Sequence, residues 1–225
     1  LHIYYSYQLA EGRGYIHNPL MHGPLQFHLN ALVFFVLGDN DYTARLIYAL
    51  AGTALVAVPY FLRDYLGRAG ALMVAAMLAV SPSLLYFSRF GRNDILIALF
   101  ALSLVALIWR YLQEGRRRHL YLASAVLALA FSAKETAWIL SVVLGGFLFL
   151  LAIPDLVPWV LGRVRISQFD RPASLLVLLV TLTLPQWSAL TSLVQEPLGL
   201  VLVTPQSAGG PVGLPQDCKS LYVSF

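Results

Sequence analysis

Arg89, Arg92 and Asp94 lie within Ser88-Arg89-Phe90-Gly91-Arg92-Asn93-Asp94, a short polar stretch between two apolar runs. Lys134-Glu135 interrupts a second, longer apolar region. Charge beside lipid is costly and tends to mark function, and only 12% of this chain is charged. These positions are therefore the first candidates for chemistry. Arginine grips phosphate bidentately and lysine as a point charge. Arg89, Arg92 and Lys134 together suit a lipid-linked phosphate or diphosphate at a membrane face. The plainer alternative is that each snorkels and anchors a helix end among headgroups.

The acidic candidates for catalysis are Asp94 and Glu135. Asp94 stands at the start of a helix, where a carboxylate also caps backbone N–H groups and complements the dipole. Its functional alternatives are to bind a divalent cation, Mg2+ or Mn2+, or to orient donor or acceptor. Glu135 is either the neutralising neighbour of Lys134 at a turn or a polar group beneath the phosphate site. His17 and His22 occupy a Pro/Gly-rich loop. Two histidines do not make a zinc site, which needs three or four ligands. His22-Gly23-Pro24 reads instead as a rigid loop donating hydrogen bonds to a sugar or phosphate. Arg45 is a further substrate-binding candidate that could equally pair with Asp39 or Asp41, themselves read as helix caps. His2 and His28 read as surface histidines. The single cysteine, Cys218, excludes an internal disulfide and a cysteine-based metal site. No Gly-rich phosphate loop, nucleophile elbow or dinucleotide fingerprint is present, and no cofactor is required by any motif.

Elements of one class must position these groups. Hydrophobic residues make up 59% of the 225, and mean hydropathy is +0.72. A soluble chain carries about twice this charged fraction. The expectation is an all-α, polytopic transmembrane helix bundle. The net charge of +4 is accounted for by topology signals, so nucleic acid is not an implied partner. Residues 1–41 read as an outer-face loop rich in interfacial tyrosine, ending in a flat helix over 24–37 on which Gln26, His28 and Asn30 share one side. Residues 42–190 read as the membrane domain. Spans are predicted over 42–62, 69–87 (with Ser81-Pro82 loosening its last turns) and 95–112, and a last one over 173–190. Residues 121–153 would measure about 50 Å as one helix. That suits two short spans turning at Lys134-Glu135, although a kinked continuous helix is the alternative. Residues 191–225 read as a loop, a linker or a truncation.

Parity orders the loops. Arg110 and Arg116-Arg117-Arg118 form the densest basic cluster and are placed in the cytoplasm. Arg63/Arg68 and Arg163/Arg165/Arg171 fall on the same side if the chain turns at Lys134. The Ser88–Asp94 stretch, Lys134-Glu135 and residues 39–41 then share the opposite face, with His17 and His22.

These residues, in this order, resemble the GT-C superfamily of integral-membrane glycosyltransferases. The nearest group is the archaeal and bacterial relatives of dolichyl-phosphate-mannose–protein mannosyltransferase, often labelled flippase-activity-associated proteins. The resemblance rests on His2-Ile-Tyr-Tyr-Ser-Tyr7, Asn18-Pro-Leu-Met-His-Gly-Pro24, Ala44-Arg45-Leu46 and Gly52 onward to Arg63-Asp-Tyr-Leu-Gly67. Ser81-Pro82, the Ser88–Asp94 stretch and Ser132-Ala-Lys-Glu135 complete it, over residues 1 to about 140. It implies interfacial helices in the first outer loop, a second outer acidic position at Asp94, and phosphate-binding basic positions at Arg89, Arg92 and Lys134. It also implies a catalytic acid upstream of His2, so the chain is expected to be an N-terminally open fragment without full activity. The implied reaction moves a sugar from a polyprenyl-phosphate donor to a protein, lipid or glycan acceptor at the outer face of the plasma membrane. Two rivals remain: a flippase for lipid-linked sugars, which would want polar residues through the span midplanes, and a non-catalytic scaffold.

Overall fold

The computed structural model describes residues 2–13, 23–163 and 165–184. The chain divides into two compact units, residues 1–182 and 183–225, and the helices described belong to the first, with α9 ending at the boundary. Among the described residues the regular structure is entirely helical. It comprises α1 (His2–Ala10), α2 (Leu25–Leu37), α3 (Thr43–Ala57), a 3-10 segment (Val58–Leu62) and α4 (Arg63–Val80). These are followed by α5 (Pro82–Arg89), α6 (Asp94–Glu114), α7 (Arg117–Ala133), α8 (Ala137–Val160), a 3-10 turn (Ile166–Gln168) and α9 (Arg171–Thr183). Among the described residues three helical stretches are long and apolar enough to cross a membrane: Thr43–Val80, which includes the 3-10 bend, Asp94–Glu114 and Ala137–Val160. The protein is an all-α membrane bundle.

The helix ends follow local chemistry. Gly115, left-handed at φ 68°, closes α6 by donating its N–H to the Tyr111 carbonyl at 2.8 Å. Lys134 is extended (φ −162°, ψ 146°), so α7 stops there and α8 starts three residues later. The turn at Lys134-Glu135 is real, and the kinked continuous helix is excluded. The predicted span over 69–87 is not one helix. Pro82 disfavours helical backbone at the residue before it, Ser81 is extended at ψ 119°, and Pro82 then opens α5 as its first residue. The last helix starts at Arg171, and the predicted continuation to 190 lies outside the described residues.

On α2, Gln26, Phe27, Asn30, Ala31 and Phe34 are buried, while His28 is exposed with its Nδ1 on the Pro24 carbonyl at 2.9 Å. The single polar side predicted for this helix is therefore corrected. Residues four apart share a helical face and residues two apart do not, so Gln26 and Asn30 turn inward and His28 outward. Leu32, Phe35, Val36 and Leu37 are exposed.

Three apolar clusters hold the bundle. Tyr48, Ala51 and Leu55 of α3 pack on Ile95 and Leu96 of α6, with Leu84 and Phe87 of α5 against them. Leu104 of α6 meets Ala123 and Leu127 of α7. Ile108 and Tyr111, further along α6, pack on Leu148 and Ala152 of α8 and Ala173 of α9. These contacts make α6 and α7 an antiparallel pair with α8 returning beside α6. Asp94 and Lys134 thus share one end. Arg110, Glu114 and the start of α9 share the other, where Arg171 donates to the Leu112 and Gln113 carbonyls at 2.9 and 2.6 Å.

Candidate functional site

The α6–α7 hairpin brings residues 93–94 against residues 133–134. The buried Asn93 side chain donates from Nδ2 to the Ala133 carbonyl at 2.8 Å. One residue on, Lys134 Nζ donates to Asp94 Oδ1 at 2.6 Å. Arg92 Nε lies 3.3 Å from the other oxygen, Oδ2. The side chains of Lys134 and Asp94 are 15% and 25% exposed, and Arg92 is 45% exposed. One carboxylate therefore holds two cations, one largely sheltered and one at the surface.

The backbone around this group is closely fitted. Gly23 donates its N–H to the same Ala133 carbonyl at 3.2 Å. A Cβ at Gly23 would collide with the Ser132 carbonyl oxygen, so only glycine lets the segment lie on the end of α7. A Cβ at Gly91 would come 3.0 Å from Ile3 Cδ1, which places α1 over the Ser88–Asp94 turn. Below that turn Asn30 Nδ2 donates to the Tyr48 hydroxyl at 2.7 Å, both groups buried. Gln26 Nε2 and Oε1, Asn30 Oδ1 and Asn93 Oδ1 are buried without a hydrogen-bond partner among the described residues. Polar side chains so placed disfavour a purely apolar role for this end of the bundle.

Of the residues singled out by sequence, Arg92, Asp94 and Lys134 are brought together. Arg89, the last residue of α5, is exposed and makes no ion pair with the described residues. Glu135 is exposed in the turn that follows Lys134, its carbonyl accepting the Trp138 N–H at 3.0 Å. Arg45 is exposed and pairs with neither Asp39 nor Asp41. The turn before α3 is closed by Asn40 instead, whose Oδ1 accepts the Tyr42 and Thr43 N–H groups at 2.9 and 3.0 Å. Asn is as good a cap as Asp, so the capping assignment moves one residue. His17 and His22 lie outside the described residues.

Asn93 was not among the sequence candidates. Its signal was available: an amide directly before a helix-starting acid, in a chain that spends few polar residues.

A divalent cation at Asp94 fits poorly. Both its oxygens are taken by cations, and among the described residues no three His, Cys, Asp or Glu side chains converge. What the group does offer is anion binding. The Lys134 ammonium has three donors and commits one to Asp94, and the Arg92 fork keeps donors for a ligand. Asp94 holds both in place before an anion arrives, and partial burial strengthens the attraction relative to open water.

A family model described as dolichyl-phosphate-mannose-protein mannosyltransferase matches residues 21–183. The match begins ahead of α2, contains Arg92, Asp94 and Lys134, and runs to the end of α9, well beyond residue 140. No curated protein and no solved structure matches the chain.

Proposed function

Because the chain belongs to the dolichyl-phosphate-mannose-protein mannosyltransferase family, we propose that it moves a sugar from a polyprenyl-phosphate donor to an acceptor at the non-cytoplasmic face of the plasma membrane. The acceptor is a protein, lipid or glycan hydroxyl. At the coarser level, the protein is a membrane glycosyltransferase of the mannosyltransferase type.

The observation that carries the finer reading is the Arg92–Asp94–Lys134 group at one end of a membrane bundle. As the acceptor oxygen attacks the anomeric carbon, the bond to the lipid phosphate breaks and negative charge grows on the leaving oxygen. Preorganised cations aimed at developing charge commonly supply the largest catalytic contribution. Lys134 and Arg92 take that role, with Arg89 as a third cation from α5. Asp94, both oxygens engaged, orients the two cations. Glu135, exposed beside them, is the acid placed to accept the acceptor's proton. His17, His22 and Arg45 are assigned to substrate contacts. Apolar surfaces between the helices hold the prenyl chain.

The membrane-spanning interior supports an enzyme over a conduit. Among the described residues the buried polar side chains Ser6, Gln26, Asn30, Thr43, Asn93, His119, Ser141 and Thr183 sit toward helix ends or in the first two turns. A transport path would place them at mid-depth. Transfer of mannose from polyprenyl-phosphate mannose by the protein in sealed vesicles tests the proposal. Absence of transfer together with translocation of the sugar-lipid would replace it with the flippase reading.

A further inference from the structure

At the end of the bundle opposite Asp94, α3, the 3-10 segment and α4 enclose a groove of about 590 Å³. Val56, Ala71 and Ala75 form its apolar floor, and Tyr60, Arg63 and Arg68 stand at its mouth. From Arg68 to Ala75 the floor extends about 10 Å along α4.

That two arginines share this mouth requires explanation. In an unbroken helix, residues five apart point about 140° away from each other. Gly67, at φ 71° and ψ 162°, breaks α4 between them, in a backbone region essentially confined to glycine. The break turns Arg68 onto the groove that Arg63 already faces. Arg63 is braced, its guanidinium carbon 4.0 Å from the centre of the Tyr60 ring. Among the described residues its acidic neighbour is Asp64, which lies at 3.8 Å and is held more closely by Arg110 at 3.1 Å. Arg68 is exposed and makes no ion pair among the described residues.

We propose that this groove binds an anionic phospholipid of the bilayer, its phosphate held between Arg63 and Arg68 and one acyl chain lying on the Val56–Ala71–Ala75 floor. Two partly uncommitted guanidinium forks are a phosphate receptor. Basic pockets between membrane helices take anionic headgroups in this way. An apolar floor leading away from the mouth selects a lipid over free phosphate. The site is separate from the proposed donor site: Arg110, which tethers Asp64, lies sixteen residues along α6 from Asp94, about 24 Å. It rests on the chain being a membrane protein and not on the transfer reaction.

Native mass spectrometry of the detergent-solubilised protein, titrated with phosphatidylglycerol or phosphatidylcholine, tests this. Phosphatidylglycerol should be retained in preference, one molecule per chain. Each of Arg63→Gln and Arg68→Gln should weaken it about fivefold and the pair about twenty-five-fold. Arg117→Gln, an exposed arginine at the same end of the bundle, should change it less than about twofold. Gly67→Ala has room for its methyl but not for its φ, so it should weaken binding with every charge retained. Equal retention of the two lipids, an Arg117→Gln effect matching the double variant, or full displacement by inorganic phosphate would each overturn the proposal.

Discussion

Asn93 donates to the carbonyl of Ala133 at 2.8 Å, and the next residue of each segment, Asp94 and Lys134, forms the 2.6 Å ion pair. Two consecutive bonds between the same two segments fix position and direction together. The amide sets the spacing of the hairpin ends, and the ion pair then presents Lys134 at one angle.

Removing the sheltered cation should hurt transfer most. Lys134→Met is expected to lower kcat by about 100-fold or more, the scale seen when one preorganised donor is lost. Arg92→Gln, half exposed, should cost about tenfold, and Arg89→Gln, outside the ion-pair group, only about threefold. The measurement is mannose transfer in vesicles at matched protein incorporation. Equal losses at all three positions would argue for a diffuse surface charge in place of a clamp.

Asp94 and Lys134 should also be coupled in stability. A double-mutant cycle of Asp94→Asn and Lys134→Met, read by thermal unfolding in detergent, is expected to give a coupling of about 1 kcal/mol, modest because neither side chain is fully buried. A coupling near zero would mean that the pair is not formed in the folded protein.

For Asn93 the expectation is structural. Asn93→Ala leaves the Ala133 carbonyl with the Gly23 N–H, so the loss is that of one hydrogen bond, about 0.5–1.5 kcal/mol. Activity should fall with it, because Lys134 loses its spacing. A variant that unfolds like the parent protein would show that the amide is idle.

Gly23 makes a sharper demand. Gly23→Ala would set a methyl carbon against the Ser132 carbonyl, and the end of α7 must shift to admit it. Loss of transfer with normal membrane insertion is the expected outcome. Full activity would mean that residues 23 and 132 do not approach in the working enzyme.

Sidedness has a direct test. In a Cys218→Ser background, Arg89→Cys and Arg117→Cys should label from opposite sides of sealed vesicles, because α6 separates them. Labelling from the same side would remove the basis for an outer-face site.

The class of the fold was legible because composition alone excludes a soluble chain, and counting crossings put Asp94 and Lys134 on the same face; that the two side chains pair was not legible. Which helix face packs inward was not legible. In a membrane protein both the lipid-facing and the buried sides of a helix are apolar, so hydropathy has little contrast to offer. Exposed Met73 and Val142 look like buried Leu55 and Leu148 in sequence. Polar spacing is the better guide, and Gln26 and Asn30, four apart, did mark the inward side of α2. The breaks at Ser81 and Gly67 turn on single backbone angles. Proline announced the first; a glycine between Leu66 and Arg68 announced the second only faintly.

The double tie between residues 93–94 and 133–134 also bears on how the protein is made. Gly23, Arg92, Asn93 and Asp94 all precede Lys134 in the chain, so once the α6–α7 hairpin has left the ribosome and entered the bilayer, each of these partners has already been synthesised. The cation clamp needs nothing downstream to close. Helices α8 and α9 then add to a hairpin whose two ends are already latched, and a chain released after α7 and the turn at Lys134 would keep the anion-gripping half of the site.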